Sequence, residues 1–439
     1  MELRYSGNTR SMLYGWENPL VTGTDQENNY RFFQYLRLKL KGVGKESSVS
    51  FNTYLRVTDD LSVDYASDPN WRLYNGYLQW DTRLTSISIG RQWLHYGPAS
   101  ATLDGAQITI GDKNRTSLTG YLGAETPFTR KFDANGMGKA GSGGLFFSTH
   151  AVSNLTLGAG FYQKNRYGET AFREVGVNAR ASLPRDLDLY GRLDVNLLTD
   201  QLQKGQIRLR YKGSDRVQFF GEYKLYRPRL FYKSYYQRFE LEGNNQLRGG
   251  LSVFFRPEVT LNASYSAVMA EEDNSGFFTL GASCPFGWVN YYKGVGYGGD
   301  QDGFAVGGSL PLAKDRVEIF ADIDYSRFRF YEDEDRDYLF SSIFGLHWRP
   351  IEQLEAGVEF QDVNNDVFSK DFRVLLKFAW NFSRDCHEKN SGNKLNSDPR
   401  RRDAGLYPGR RHLPPGAAGG QVLAQPPRHG PGARVRHLP

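Results

Sequence analysis

Phe372, Val374, Leu376, Phe378, Trp380 and Phe382 are apolar at every second position, while Arg373, Lys377 and Asn381 stand between them with the small or apolar Leu375 and Ala379. Such alternation places one set on each face of a β-strand, whereas a helix would scatter the same rings around its circumference. The pattern recurs along the chain. Leu187, Leu189, Gly191, Leu193, Val195 and Leu197 alternate with Asp188, Tyr190, Arg192, Asp194 and Asn196; Ile207, Leu209 and Tyr211 alternate with Gln206, Arg208, Arg210 and Lys212. Val317, Ile319, Ala321, Ile323 and Tyr325 alternate with Glu318, Asp322 and Asp324, and Phe32, Leu36, Leu38 and Leu40 with Arg37, Lys39 and Lys41. No helical spacing of comparable length occurs. No apolar run approaches the ~18 residues of a membrane helix, in keeping with a mean hydropathy of −0.58. Only 2 of 439 residues are Cys, which excludes a disulfide framework or a Cys-rich metal module.

The connections between these segments are of two kinds. Tight turns fall at Lys113-Asn114, Ser153-Asn154, Pro184-Arg185-Asp186, residues 212–215, Arg256-Pro257-Glu258, Pro285-Phe286-Gly287, Ala313-Lys314-Asp315 and Arg349-Pro350-Ile351, with looser ones near Gly42 and Arg83. Longer polar stretches lie between them: residues 10–29, 59–70, 126–139, 228–244, 296–303 and 331–336. Short turns at one end and long loops at the other predict an all-β fold, a transmembrane antiparallel up-and-down β-barrel of about 22 strands, within a range of about 16 to 22. A soluble propeller or pair of sandwiches is the alternative. Against it stand strands of 10 or more residues and aromatic residues gathered at strand ends, as in Trp71, Tyr74, Tyr77 and Trp80, or Tyr232, Tyr235 and Tyr236. Phe378, Trp380 and Phe382 close the last strand with alternating rings and a terminal Phe. That ending resembles the C-terminal insertion signal of bacterial outer-membrane proteins, and the resemblance implies assembly by the barrel-insertion machinery.

Charge divides the chain at Phe382. Of its 55 basic and 49 acidic residues, 11 and 4 follow Phe382, which leaves 44 and 45 before it. The net +6 therefore belongs to the tail, and it carries no message about nucleic acid. Residues 1–382 are expected to be the barrel, and residues 383–439 a disordered, basic, Pro/Arg/Gly-rich tail that buries too little apolar surface to order itself. The abrupt change also fits a frameshift or a non-native extension. An exported chain needs a leader, and Glu2-Leu3-Arg4-Tyr5 is already strand-like, so the start is expected to be truncated or processed.

No catalytic constellation emerges, and the reading is of a protein that is no enzyme and uses no cofactor or metal. Only His95, His150 and His347 precede the tail, each read as an interfacial or pore-facing polar residue rather than a base. Cys386-His387 lacks the first cysteine of a haem attachment, where Ser383 stands. The acidic clusters Glu271-Glu272-Asp273, Asp300-Gln301-Asp302 and Glu332-Asp333-Glu334-Asp335 do not have calcium-loop spacing and read as solvated charge, with cation bridging to lipopolysaccharide as the alternative. Gly294 to Gly299 lacks the Lys-Ser/Thr of a phosphate cradle.

If apolar faces meet lipid, the opposite faces line a lumen. The pore-lining candidates are Arg37, Lys39, Arg192, Asp194, Arg208, Arg210, Lys212, Glu222, Lys224, Glu318, Asp322, Asp324, Glu355, Glu359, Arg373 and Lys377. Basic residues gather around 204–224 and acidic ones around 318–324. Either the facing walls set up a transverse field, or the charges neutralise one another in salt bridges.

Gly90-Arg91-Gln92, Tyr96-Gly97 and Asp104-Gly105 resemble the Gly-Arg-Gln, Tyr-Gly, Asp-Gly run of alginate-export and related substrate-specific porins. The match covers about 16 residues, and it implies a strand, loop and strand whose Arg faces the channel. Strand parity with Ile87 and Ile89 puts Arg91 on the lipid side unless a bulge near Gly90 shifts it. The reading that follows is a porin-like channel of the bacterial outer membrane for passive diffusion of small polar or charged solutes. Its expected surroundings are outer-membrane lipid and lipopolysaccharide. The alternative is a barrel that sheathes a periplasmic multihaem cytochrome in an electron-transfer conduit, since a barrel of this size has room for a guest.

Overall fold

A computed structural model describes residues 2–17, 28–62, 68–230, 243–256, 258–270, 274–296, 299–329, 335–365 and 371–384. The tail read at 383–439 lies outside them, apart from Ser383 and Arg384, which belong to the last strand. The described chain is a single 22-stranded antiparallel sheet from β1 (Glu2–Glu17) to β22 (Asp371–Arg384). Each strand pairs with its neighbours in sequence, and β1 also pairs with β22 over Tyr5↔Arg384 to Trp16↔Arg373. The sheet thus closes on itself and leaves no terminal edge strand. The helix α1 (Met137–Ala140) is a single turn.

Strands run from 9 to 16 residues, enough to cross a hydrocarbon core when tilted. Ten short connections lie at the end that holds Glu2 and Arg384, at the positions the turn residues mark. One of these differs from expectation. Arg349-Pro350-Ile351 is not the turn but a register shift near the end of β20 (Asp337–Ile351), and the chain reverses at residues 352–353. A proline that cannot donate to the ladder is accommodated at such an irregularity. The long stretch read at 10–29 is also shorter, because β1 continues to Glu17. Its outward residues Gly7, Thr9, Ser11 and Gly15 are small or polar, which blurs the alternation.

One face of most strands is apolar and exposed. Leu122 is 62% accessible, Ile207 58%, Leu280 51% and Trp380 49%, and similar residues occur around the whole circumference. Water would penalise so large an apolar surface by tens of kcal/mol at ~25 cal/mol per Å², and lipid removes that penalty. Short turns at one end, longer connections at the other, an apolar band outside and polar residues inside are the build of an outer-membrane barrel. The chain is a transmembrane barrel of the bacterial outer membrane. Of the aromatic residues read as a girdle, Trp71 and Trp80 do face outward, 48% and 44% exposed. Tyr74 and Tyr77 point inward: the pairing of β3 (Ser47–Asp60) with β4 (Asn70–Thr82) has a bulge at Tyr54/Leu55, and Tyr74 stacks on the inward Tyr54 at 4.8 Å. Tyr232, Tyr235 and Tyr236 lie outside the described residues.

Candidate functional site

β5 (Thr85–Tyr96) and β6 (Ala99–Asp112) form a hairpin that leaves the wall. The β4–β5 ladder stops at Gly76↔Arg91, and the ladder from β6 to β7 (Thr116–Glu125) stops at Leu103↔Glu125. Between these points the two strands pair only with each other, up to Tyr96↔Ala99. At the departure point Gly90 has φ +129°, and a Cβ there would come within 2.9 Å of the Tyr77 Cα. Only glycine allows the close approach and the bend together.

The freed hairpin folds into the lumen and lies against the inner wall. Leu94, Ala99 and Leu103 are fully buried there with Tyr121 and Tyr162, and Tyr96 stacks near Tyr121 and Phe146 at 6.0 and 5.7 Å. Burying each of the leucines contributes about 2 kcal/mol. The tip rests on glycines. Inward positions of β9 (Leu155–Arg166) and β10 (Glu169–Leu183) are Gly160 and Gly176, where an added Cβ would meet Pro98 Cδ at 2.9 and 3.0 Å. Two arginines hold the tip: Arg192 donates to the Gly97 carbonyl at 2.7 Å, and Arg229 to the Pro98 carbonyl at 2.9 Å. Each is balanced by a buried carboxylate, Arg192 by Asp194 at 2.7 Å and Arg229 by Glu174 at 2.9 Å. The opposite face of the hairpin, with Trp93, His95 and Ser100, stays exposed in the lumen.

Arg91 closes the breach behind the hairpin. Its β5–β6 pairing runs through Gly90 without a register shift, so it keeps the outward parity of Ile87 and Ile89. It reaches neither lipid nor channel. Arg91 forms a two-pronged pair with Asp104 at 2.6 and 2.9 Å and donates to the carbonyls of Leu73, Lys131 and Asp133 at 3.1, 2.7 and 2.7 Å. The segment after β7 thus fills the gap beside β4, and Leu73 N donates to the Arg130 carbonyl at 2.8 Å. The expectation of a channel-facing Arg91 is corrected by this cover. The other motif residues belong to the same hairpin: Gln92 accepts from Ser88 at 2.5 Å, and Gly97 makes the tip turn with φ +54°.

All sixteen charged residues singled out from the sequence stand on the inward side of their strands, opposite the exposed apolar set. Most are paired there. Arg192 meets Asp194, Arg208 meets Glu222, Lys377 meets Glu359, Arg373 meets Asp371, and Arg349 reaches both Glu318 and Glu355 at 3.3 and 3.2 Å. Asp324 accepts from the Tyr292 hydroxyl at 2.7 Å. Arg37 instead covers the Tyr54 ring at 4.3 Å. His347 lies 3.4 Å from Glu359, His95 is exposed on the hairpin, and His150 sits in a turn. Asp300 and Asp302 are paired with Arg329 and Arg327 and approached by Arg336. Glu271–Asp273, Glu332–Glu334 and Cys386 lie outside the described residues. Phe378, Trp380 and Phe382 face outward on β22.

The sequence matches no family model and no curated protein. Among solved structures, it is similar to OccAB4 of Acinetobacter baumannii, at 10% identity and a TM-score of 0.45 over 88% of this chain and 99% of that one. It is also similar to the outer membrane protein opdK of Pseudomonas aeruginosa (9%, TM-score 0.43, 87% and 99%). A BenF-like porin of Pseudomonas fluorescens Pf-5 is a further neighbour (10%, TM-score 0.44, 87% and 99%).

The docked hairpin breaks the strand-by-strand alternation of a simple barrel wall. A trace of it is present in the sequence, because Leu94 and Tyr96 are apolar where β5 should face water, while Trp93 and His95 occupy the alternate positions.

Proposed function

We propose that this barrel is a channel for passive diffusion of small polar or charged solutes, with the β5–β6 hairpin as its constriction. The hairpin carries the reading. A loop end that merely decorated the barrel would not need a bed of glycines and two neutralised arginines inside the lumen. The sixteen inward charges line the path, and their pairing leaves a polar surface that a hydrated solute can cross. The docked hairpin takes up lumen that a guest cytochrome would need, so the conduit reading gains nothing from it. Phe378, Trp380 and Phe382 serve as the insertion signal read by the barrel-assembly machinery.

The test is planar-bilayer recording of the refolded full chain beside a variant in which residues 92–102 are replaced by a short Gly/Ser turn. Discrete conductance steps are expected from both, with larger steps from the variant. Equal steps would remove the hairpin from the role of constriction. Silence from both would remove the channel.

A further inference from the structure

The inward face of β2 (Asn28–Val43), β3 and β4 is built differently from the rest of the lumen. Arg56 and Arg72 are direct cross-strand partners on that face. Like charges directly opposite one another in an antiparallel pair repel. At other places in the lumen carboxylates answer arginines, as at Arg192, Arg208 and Arg373. Here none does: among the described residues no carboxylate pairs with Arg56, Arg72 or Arg130, and the Nε groups of Arg56 and Arg72 are shut away from solvent without an acceptor. Aromatic rings hold two of the three guanidiniums, those of Arg56 and Arg130. Arg56 lies 5.7 Å from the Tyr74 ring centroid and Arg130 4.9 Å from the same centroid, and Tyr74 is itself stacked on Tyr54. Cation–π contact orients a guanidinium without using its hydrogen-bond donors.

We propose that Arg56, Arg72 and Arg130 form an oxyanion-binding site in the loop-end mouth of the lumen, for a solute bearing a phosphate, sulfate or carboxylate group. A planar guanidinium fork matches the oxygen pairs of all three groups, and a bound anion supplies the charge that no described carboxylate gives these three arginines. Arg72 lies four residues along β4 from Gly76, on the loop side of where the constriction hairpin leaves the wall, so a captured anion waits on the loop side of the narrowing. This inference deepens the channel reading and rests on it for the meaning of the site, but binding can be measured without current.

The experiment titrates the refolded full chain in detergent with inorganic phosphate, sulfate and acetate, each against chloride at constant ionic strength, using calorimetry and thermal unfolding. At least one oxyanion is expected to bind ten times more tightly than chloride or better. Arg72→Met should weaken that binding at least tenfold, whereas Arg316→Met, in an exposed turn at the far end, should leave it unchanged. In the absence of oxyanion, Arg72→Met should also raise the unfolding midpoint, because it relieves the repulsion. Affinity no better than chloride, or an Arg72→Met chain that binds as the parent does, would overturn the site. Binding without conductance would sink the channel and leave the site standing. Conductance without binding would do the reverse.

Discussion

Arg91 shows how far a single side chain can depart from the role its neighbours suggest. Parity with Ile87 and Ile89 points it at lipid, and the resemblance of its motif points it at the channel. The structure encloses it instead between the hairpin, β4 and the segment after β7. Its side chain is 4% exposed and that of Asp104 16%. Removing one partner of a buried pair leaves the other unpaired, at a cost of about 3 kcal/mol. Arg91→Ala should therefore lower the stability of the refolded barrel by about that amount in urea unfolding. Arg91→Lys should restore little of it, because an ammonium cannot serve both carboxylate oxygens and three carbonyls in one plane. Full rescue by Lys would mean that charge alone matters at this position. The sequence could not reveal the cage, because the carbonyls that build it belong to residues whose side chains carry no common pattern.

At the scale of elements, the strands were legible and the hairpin's path was not. Alternation is a local property, and lipid on one side with water on the other enforces it strand by strand. Turn residues such as Pro184-Arg185-Asp186 mark where the chain reverses; Arg185 and Asp186 indeed have positive φ of 66° and 54°. The bed under the hairpin tip is Gly160 and Gly176, more than 60 positions from Pro98 and distinguished only by lacking side chains. Gly160→Val tests this directly. Its side chain would occupy the place of Pro98, so the tip should lift and the conductance should rise, while the barrel keeps its heat-dependent shift in gel mobility. An unchanged conductance would show that the tip does not depend on this bed. The candidate lumen charges are an intermediate case. Their side of the strand follows from parity, but which carboxylate each base meets depends on the neighbouring strand's register, as in Arg208 with Glu222 across the pairing of β12 (Gln201–Ser214) and β13 (Val217–Tyr226).

For the whole molecule, near-neutrality of the portion before Ser383 hides an uneven distribution. Arg37, Lys39, Arg56 and Arg72 share the inward face of β2–β4 without carboxylates of their own among the described residues, whereas the basic residues of β11 (Leu187–Asn196) and β12 include pairs that cancel. Unpaired charge of one sign governs which ion enters a pore. The reversal potential under a potassium chloride gradient should accordingly report a preference for chloride, and a preference for potassium would refute this account. The tail raises a separate question. Its charge of 11 basic against 4 acidic residues gives the chain its high isoelectric point, yet β22 completes the barrel at Arg384 through the pairs Tyr5↔Arg384 and Ser6↔Ser383. Closure needs nothing after that residue. A chain ending at Arg384 should insert into outer membranes as the full chain does, measured by heat-modifiable mobility of the membrane fraction. One ending at Lys377 should fail, because it loses Phe378, Trp380 and Phe382 together with the short-turn half of the β1–β22 seam, Tyr5↔Arg384 to Ser11↔Phe378. If the shorter chain inserted equally well, the ring pattern would be a girdle and no more; if the chain ending at Arg384 failed, the tail would have to act in assembly.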